Sequence, residues 1–300
     1  MERIRKALEQ ANRDRAQGHA DLGSGGGIAA NLSSAIRYTQ TKVIDVPERV
    51  LTENRIIAAV PFHESKDAYR MLRTRVLQTM QENQWTSLAI TGPNPGCGKS
   101  LTAINLAISL AMEVTHTVLL VDLDMRKPSI HEYLGYQPEV GLSDYLLHDV
   151  PLSQALINPG IERLVVLPGR EPVRNSSEML NSPKMVALVN ELKHRYPDRL
   201  TIFDLPPILD ADDALVFVPY IDSMLMVAEA GVTSRDDLQK ALSVLKSAPM
   251  IGTVLNKAPS RRSRYGYGYG YGYGYGYGWY YGKKRRAERA KARAAARTKA

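Results

Sequence analysis

The sequence has little of what would mark a secreted or membrane-spanning chain. Cys97 is its only cysteine in 300 residues, so no intrachain disulfide can form and a reducing compartment is expected. The N-terminus, MERIRKALEQANRDRAQ, has no apolar stretch of the kind a secretory signal needs. No uninterrupted run of about 18 apolar residues occurs. The nearest approach, Leu215 to Ala230, contains Asp222 and Glu229, so no membrane span is expected. Phenylalanine and tryptophan are scarce, with 3 and 2 copies, against 16 tyrosines. Cationic excess is missing from the body of the chain. The formal charge of +8 is matched by nine cations after Gly282 opposed by Glu288 alone, so residues 1–282 sum to zero. An acidic partner is therefore to be sought at the tail.

An apolar content of 44% is enough for a sizeable core. Residues 1–17 read as a short charged helix with Ile4 and Leu8 on one side, and 18–61 as a flexible linker rich in glycine and serine at its start, with an extended stretch leading to Phe62. SKDAYRMLRTRVLQTMQENQ then has a helical pattern. From Trp85 to Lys257 short apolar runs alternate with helical segments. SLAIT, TVLLVD, RLVVLP, LTIFD, DSMLMVAEA and MIGTVLN are the runs; several are continuously apolar, as strands buried on both faces should be. SLTAINLAISLAM, SPKMVALVNELKHRY and SRDDLQKALSVLKS are the clearest helices. This alternation predicts an α/β domain over 62–259, with a mostly parallel sheet and helices on both faces. A Tyr/Gly-rich tail, 260–282, and a basic tail, 283–300, follow as disordered segments.

SLAITGPNPGCGKSLTAINLAISL reads as strand, glycine-containing loop and helix. In such a loop the backbone N–H groups of Pro95-Gly96-Cys97-Gly98-Lys99-Ser100-Leu101 turn around phosphates, except for the proline, which has none. Lys99 reaches the β- and γ-phosphates, Ser100 ligates Mg²⁺, and the helix N-terminus favours the anion. The place of the first glycine in the usual GxxxxGKS spacing is taken by Pro93, with Gly92 beside it. A P-loop NTPase reading implies ATP and Mg²⁺ as cofactors. TVLLVDLDMRKPSIH is an apolar strand ending in Asp122, with Asp124 and Arg126 just beyond. LTIFDLPPILDADDA is another, ending in Asp204. Carboxylates at the C-terminal ends of strands sit where ligands bind in open α/β sheets. Cys97, among N–H groups at a helix start, can have a lowered pKa; structural filler is the alternative.

Together Gly98-Lys99-Ser100, VLLVDLDMRKP, IFDLPP and the terminal tyrosines resemble the bacterial tyrosine kinases of polysaccharide synthesis, relatives of the partition and division-site ATPases. The resemblance covers about Phe62 to Lys257 and the tail. It implies that Lys99 and Ser100 bind phosphate and Mg²⁺, and that Asp122, Asp124 and Asp204 are the catalytic and metal-ordering carboxylates. Within that set Asp122 assists deprotonation of the incoming phenol, with Ser100, Asp122 and Asp204 around the metal. Asn256 is implied near the adenine. Arg126 either steadies phosphate charge or forms a structural ion pair. Asp67, Arg70 and Arg73 share a helix face and are similar to the family's subunit-contact motif, with Asp in place of the usual Glu; a solvated charged face is the alternative. The resemblance further implies a homo-oligomeric ring, a transmembrane chain-length regulator as activator, a protein-tyrosine phosphatase, and a cytoplasmic location at the inner face of the membrane. Partition-type ATPases place a lysine where this chain has Asn94, which argues against a sandwich dimer built on that lysine.

The tail supplies something to phosphorylate. Tyr265, Tyr267, Tyr269, Tyr271, Tyr273, Tyr275, Tyr277, Tyr280 and Tyr281 fall between Arg264 and Gly282, most of them separated by glycine. Glycine at every second position opposes both helix and core strand. A Gly-rich chain of about 20 residues spans roughly 25 Å on average and about 70 Å extended, so successive phenols can reach a neighbouring subunit. The cationic end suits an anionic membrane surface, each exposed Lys or Arg there contributing about 1 kcal/mol. Two other classes fit parts of the sequence: an ATPase without kinase activity, and a nucleic-acid-binding protein using the basic aromatic tail.

Overall fold

The protein was analysed as a computed structural model, which describes residues 41–60, 63, 66–196, 198–246 and 248–258. The N-terminal helix, most of the linker and all nine tail tyrosines lie outside the described residues.

Mostly apolar runs become strands, buried on both faces in the middle of the sheet and more exposed in the two edge strands. Their order across one eight-stranded sheet is β1 (Lys42–Val43), β4 (Ile157–Asn158), β5 (Leu164–Leu167), β3 (Thr117–Asp122), β6 (Arg199–Asp204), β2 (Ser87–Thr91), β7 (Ser223–Glu229) and β8 (Met250–Asn256). Only the β4–β5 pair is antiparallel. Side chains alternate between two cores because the strand period is two. Leu119, Val121, Phe203 and Met226 face one core; Val118, Leu120, Ile202 and Val227 face the other. In the first, Phe203 meets Phe217 edge-to-face at 5.1 Å between ring centres.

Helices cover both faces. α1 (Glu48–Glu53) precedes α2 (Lys66–Glu82), and α3 (Lys99–Ala111) follows the glycine loop. All residues of α3 except Leu101 are buried, Lys99, Ser100, Thr102, Asn105 and Ser109 among them. α4 (Ile130–Tyr133), α5 (Leu142–His148), α6 (Leu152–Ala155) and α7 (Ser176–Leu180) are short. α8 (Pro183–His194) starts on a Ser182 cap that accepts from the Met185 N–H. α9 (Asp213–Phe217) and α10 (Arg235–Val244) complete the set.

The stretch expected to be the end of a linker is structured instead. β1 and α1 lie within it, and Ile56 and Ala58 are buried against the α3 side of the sheet. Asn105, wholly buried on α3, accepts from the Ala58 N–H at 2.9 Å and donates to the Arg55 carbonyl at 3.2 Å. The two-residue strand and six-residue helix are too short to show a period, and a long-range side-chain clamp leaves no pattern in a sequence.

Asp222, which interrupts the apolar run around β7, ties the sheet to α8. Its Oδ2 accepts from the Thr86 and Ser87 N–H groups at 3.0 and 2.9 Å, and its Oδ1 accepts from Lys193. Burial alone would raise this carboxyl, but Lys193 and the backbone donors outweigh burial and hold it below the usual range. A depressed folded-state pKa adds stability that is present above the unfolded value of about 4 and is lost as the pH falls through the folded one. Asp222→Asn is expected to remove about 1.5–3 kcal/mol at pH 7 and to flatten part of the decline below about pH 4, read from denaturant melts across pH.

Candidate phosphate and metal site

The site is built where β2, β3 and β6 end side by side. β3 and β6 pair in parallel with Asp122 opposite Asp204, so two wholly buried carboxylates stand together at the sheet's C-terminal edge. The loop after β2 brings Lys99 against them. Its Nζ donates to Asp124 Oδ2 at 2.7 Å and to Ser100 Oγ at 3.2 Å, and stands 3.7 Å from Asp204 Oδ1. Burial opposes charge on Lys99, but Asp204 and Asp124 outweigh it and hold the ammonium above the ordinary lysine range. Burial and the negative Asp204 beside it push Asp122 up; burial likewise raises Asp204, against the pull of Lys99.

Asp122 is held by backbone donors. Its Oδ2 accepts from the N–H groups of Ser129 and Ile130 at 2.9 and 3.0 Å, and Ser129 Oγ reaches Ser100 Oγ at 3.3 Å. Asp204 is different: both of its oxygens are buried without a hydrogen-bond partner. An orphaned carboxylate beside a serine hydroxyl fits a Mg²⁺ site, because Mg²⁺ keeps several waters and takes only one or two carboxylates from protein. Among the described residues no cluster of three or more acidic, His or Cys ligands forms a self-sufficient metal cage. The donor set therefore suits an ion that arrives with phosphates.

A cavity of about 750 Å³ opens in front of these groups, large enough for a nucleotide. Pro95, Gly96, Gly98, Lys99 and Ser100 line it from the loop, and Asp124 and Arg126 from the segment after β3. Asp122 and Asp204 do not line it; they stand behind Lys99, wholly buried. Cys97 and Leu101 are also off the cavity wall. Asn256 is not among the residues lining this cavity; its Nδ2 donates to the Cys97 carbonyl at 3.0 Å. The neighbouring Lys257 donates to the Gly96 carbonyl at 2.7 Å and to Glu229 at 2.8 Å. The end of β8 thus clamps the phosphate loop from outside. Gly98 has φ +92°, and a Cβ there would lie 2.1 Å from Asn256 Nδ2, so both conformation and space demand glycine. Asn94, at the place of the partition-type lysine, donates to Asp237 Oδ2 at 3.0 Å and belongs to this clamp.

Of the two readings of Cys97, the structure fits the filler and not the lowered pKa. The residue is 2% exposed, with its sulfur packed where a side chain on Gly92 would sit. Burial pushes the thiol up, beyond what Lys99 pulls down. Of the predicted contact residues, Asp67 and Arg70 pair on the surface at 3.2 Å. Arg73 is folded back onto α3, donating to the Ser109 carbonyl at 3.1 Å and pairing with Glu113 at 2.8 Å. Sequence reasoning missed Asn54, Glu132, Tyr133 and Asp210 on the cavity wall. Ser129 and Lys127, inside TVLLVDLDMRKPSIH, and Pro206 and Pro207, inside IFDLPP, were missed neighbours that lay within motifs already singled out. Asn256→Ala removes one clamping bond of about 1 kcal/mol; nucleotide affinity measured by calorimetry is expected to fall about fivefold with the melting midpoint little changed.

Residues 88–265 match the family described as the CobQ/CobB/MinD/ParA nucleotide binding domain. The tyrosine-protein kinase YwqD of Bacillus subtilis (strain 168) is 34% identical over 220 residues, 72% of this chain and 92% of that protein. The tyrosine-protein kinase wzc of Salmonella typhimurium is 33% identical over 202 residues, 66% of this chain but 28% of that longer protein. The solved kinase domain of the Escherichia coli tyrosine kinase ETK superposes with a TM-score of 0.65 at 26% identity, over 78% of this chain and 94% of that one. With the strand-end carboxylates and glycine loop in place, the chain belongs to the CobQ/CobB/MinD/ParA nucleotide-binding family and, within it, to the bacterial tyrosine-protein kinases.

Proposed function

We propose that the chain is an ATP- and Mg²⁺-dependent tyrosine autokinase whose acceptors are the tail tyrosines between Tyr265 and Tyr281, offered to the site of a neighbouring copy. The observation that carries this reading is the buried Lys99, paired with Asp124 at the mouth of a nucleotide-sized cavity, in a chain that carries nine tyrosines between Tyr265 and Tyr281. Ser100, with Asp122 and Asp204 behind it, would hold Mg²⁺, which supplies charge neutralisation on the phosphate oxygens.

The chain's own groups do the rest. Lys99 transfers its charge from Asp124 to the β- and γ-phosphate oxygens, and N–H groups of the loop around Gly96 and Gly98 fix the phosphates in line. A tyrosine oxygen attacks the γ-phosphorus as the bond to the β–γ bridging oxygen breaks, and ADP leaves. Asp124 lines the cavity and loses its lysine partner as Lys99 turns to phosphate, so it becomes the carboxylate that takes the phenol proton. Asp122, buried and held by backbone donors, serves as a positioned carboxyl ordering this centre rather than as the exposed base.

The wider setting is part of the same reading. The chain acts beside a membrane-embedded regulator of polysaccharide synthesis and chain length, forms a ring through the Asp67–Arg70 face, and is reset by a phosphatase. Among the described residues no helix is long and apolar enough to cross a membrane. The basic tail adds attraction to anionic lipid. A Lys99→Met chain mixed with an active chain lacking residues 261–300 tests transfer between copies. Tyrosine phosphate is expected on the inactive chain's tail in the mixture and not on that chain alone. An unlabelled tail in the mixture rejects transfer in trans.

A further inference from the structure

Arg126 is a cavity-lining cation whose position is set from behind. Its Nε donates to Asp213 Oδ2 at 2.8 Å, and its Nη2 stands 3.6 Å from the exposed Asp212 Oδ1. Asp213 opens α9 and is wholly buried, and its second oxygen, Oδ1, has no hydrogen-bond partner. A carboxylate taken out of water needs a countercharge and donors, and the side chain of Arg126 supplies both. Asp212 is too exposed to anchor anything, because water screens it. If Arg126 swung away, Asp213 would be left buried, charged and unpaired. The guanidinium is therefore held in place by the cost of leaving.

The engaged atom is Nε, so terminal N–H donors of Arg126 remain for another partner. The residue lies two places beyond Asp124, which bonds Lys99, and so belongs to the phosphate side of the cavity. A planar cation with a fixed fork suits the paired oxygens of a phosphoryl group. A charge fixed before reaction stabilises developing charge without reorganising. We infer that Asp213 is a positioning residue that fixes Arg126 as a stationary cation toward the phosphoryl group being transferred. The inference rests on the tyrosine-kinase reading. It resolves the two roles open to Arg126: the structural ion pair is the means by which the phosphate-facing role is performed.

Four full-length chains test it: wild type, Arg126→Ala, Asp213→Asn and the double variant, each carried through thermal melts and through initial rates of tail labelling against ATP concentration. Arg126→Ala strands the buried carboxylate and is expected to lower the melting midpoint, and the double variant is expected to recover most of that loss. Asp213→Asn is expected to lower kcat about tenfold with the KM for ATP changed less than about twofold, because the lost interaction belongs to the transition state. The double variant is expected to be no slower than Arg126→Ala alone. A double variant that melts below Arg126→Ala, or an Asp213→Asn chain with wild-type kcat, overturns the assignment while leaving the kinase reading intact. A wild-type chain that labels no tyrosine overturns both.

Discussion

The site is organised by one electrostatic constraint: carboxylates stand at the buried ends of neighbouring strands, and Lys99 is their countercharge. Asp122 and Asp204 are opposite residues of a parallel pair, so the sheet itself forces their charges together. Backbone N–H groups from Ser129 and Ile130 compensate one of them. The other has no hydrogen-bond partner; Lys99 pairs with it at 3.7 Å while hydrogen-bonding Asp124 at 2.7 Å. Buried charge of this kind contributes little to net stability even when paired, and its partial compensation is costly. It is better understood as stored affinity for a cationic ion and for a ligand that brings its own negative charge to Lys99. Asn256 and Lys257 hold the loop from the end of β8, and Asn94 ties it to Asp237 on α10.

Much of the central fold was legible in the sequence because its signals were redundant. SLAIT, TVLLVD and LTIFD are mostly apolar, rich in residues that favour strands, and short enough to be strands rather than helices. Each is followed by a loop and then by a segment of helical period. The structure places β2, β3 and β6 on those runs, to within a residue. The segment 41–60 was not legible. Its attachment depends on Asn105 bonding backbone groups about fifty residues away, and on Ile56 filling a space made by other elements. Neither leaves a local pattern.

At the site, residue type and strand position identified Lys99, Ser100, Asp122, Asp124 and Asp204 as candidates, and the fold brings them into one cluster. Depth was not readable. Asp122 and Asp124 are two residues apart, yet the first is sealed behind Lys99 and the second lines the cavity. That difference follows from where β3 stops, at Asp122, and it moves the proposed proton acceptor from one to the other. For Cys97 the helix-start argument named a real effect of the right sign, but burial is the larger one. Asp213 was hidden for a similar reason: an acid in LDADDA reads as an ordinary helix-start residue until its burial beneath Arg126 is seen.

The central claim is that this lysine-centred cluster drives phosphate onto the chain's own tail. The most direct measurement is mass spectrometry of the tail peptide after the purified chain is incubated with ATP and Mg²⁺. The account predicts a ladder of species with phosphate confined to tyrosines from Tyr265 to Tyr281, absent without Mg²⁺ and absent when Lys99 is replaced by methionine. Phosphate elsewhere with the tail unmodified, or an identical ladder from the Lys99→Met chain, would contradict it.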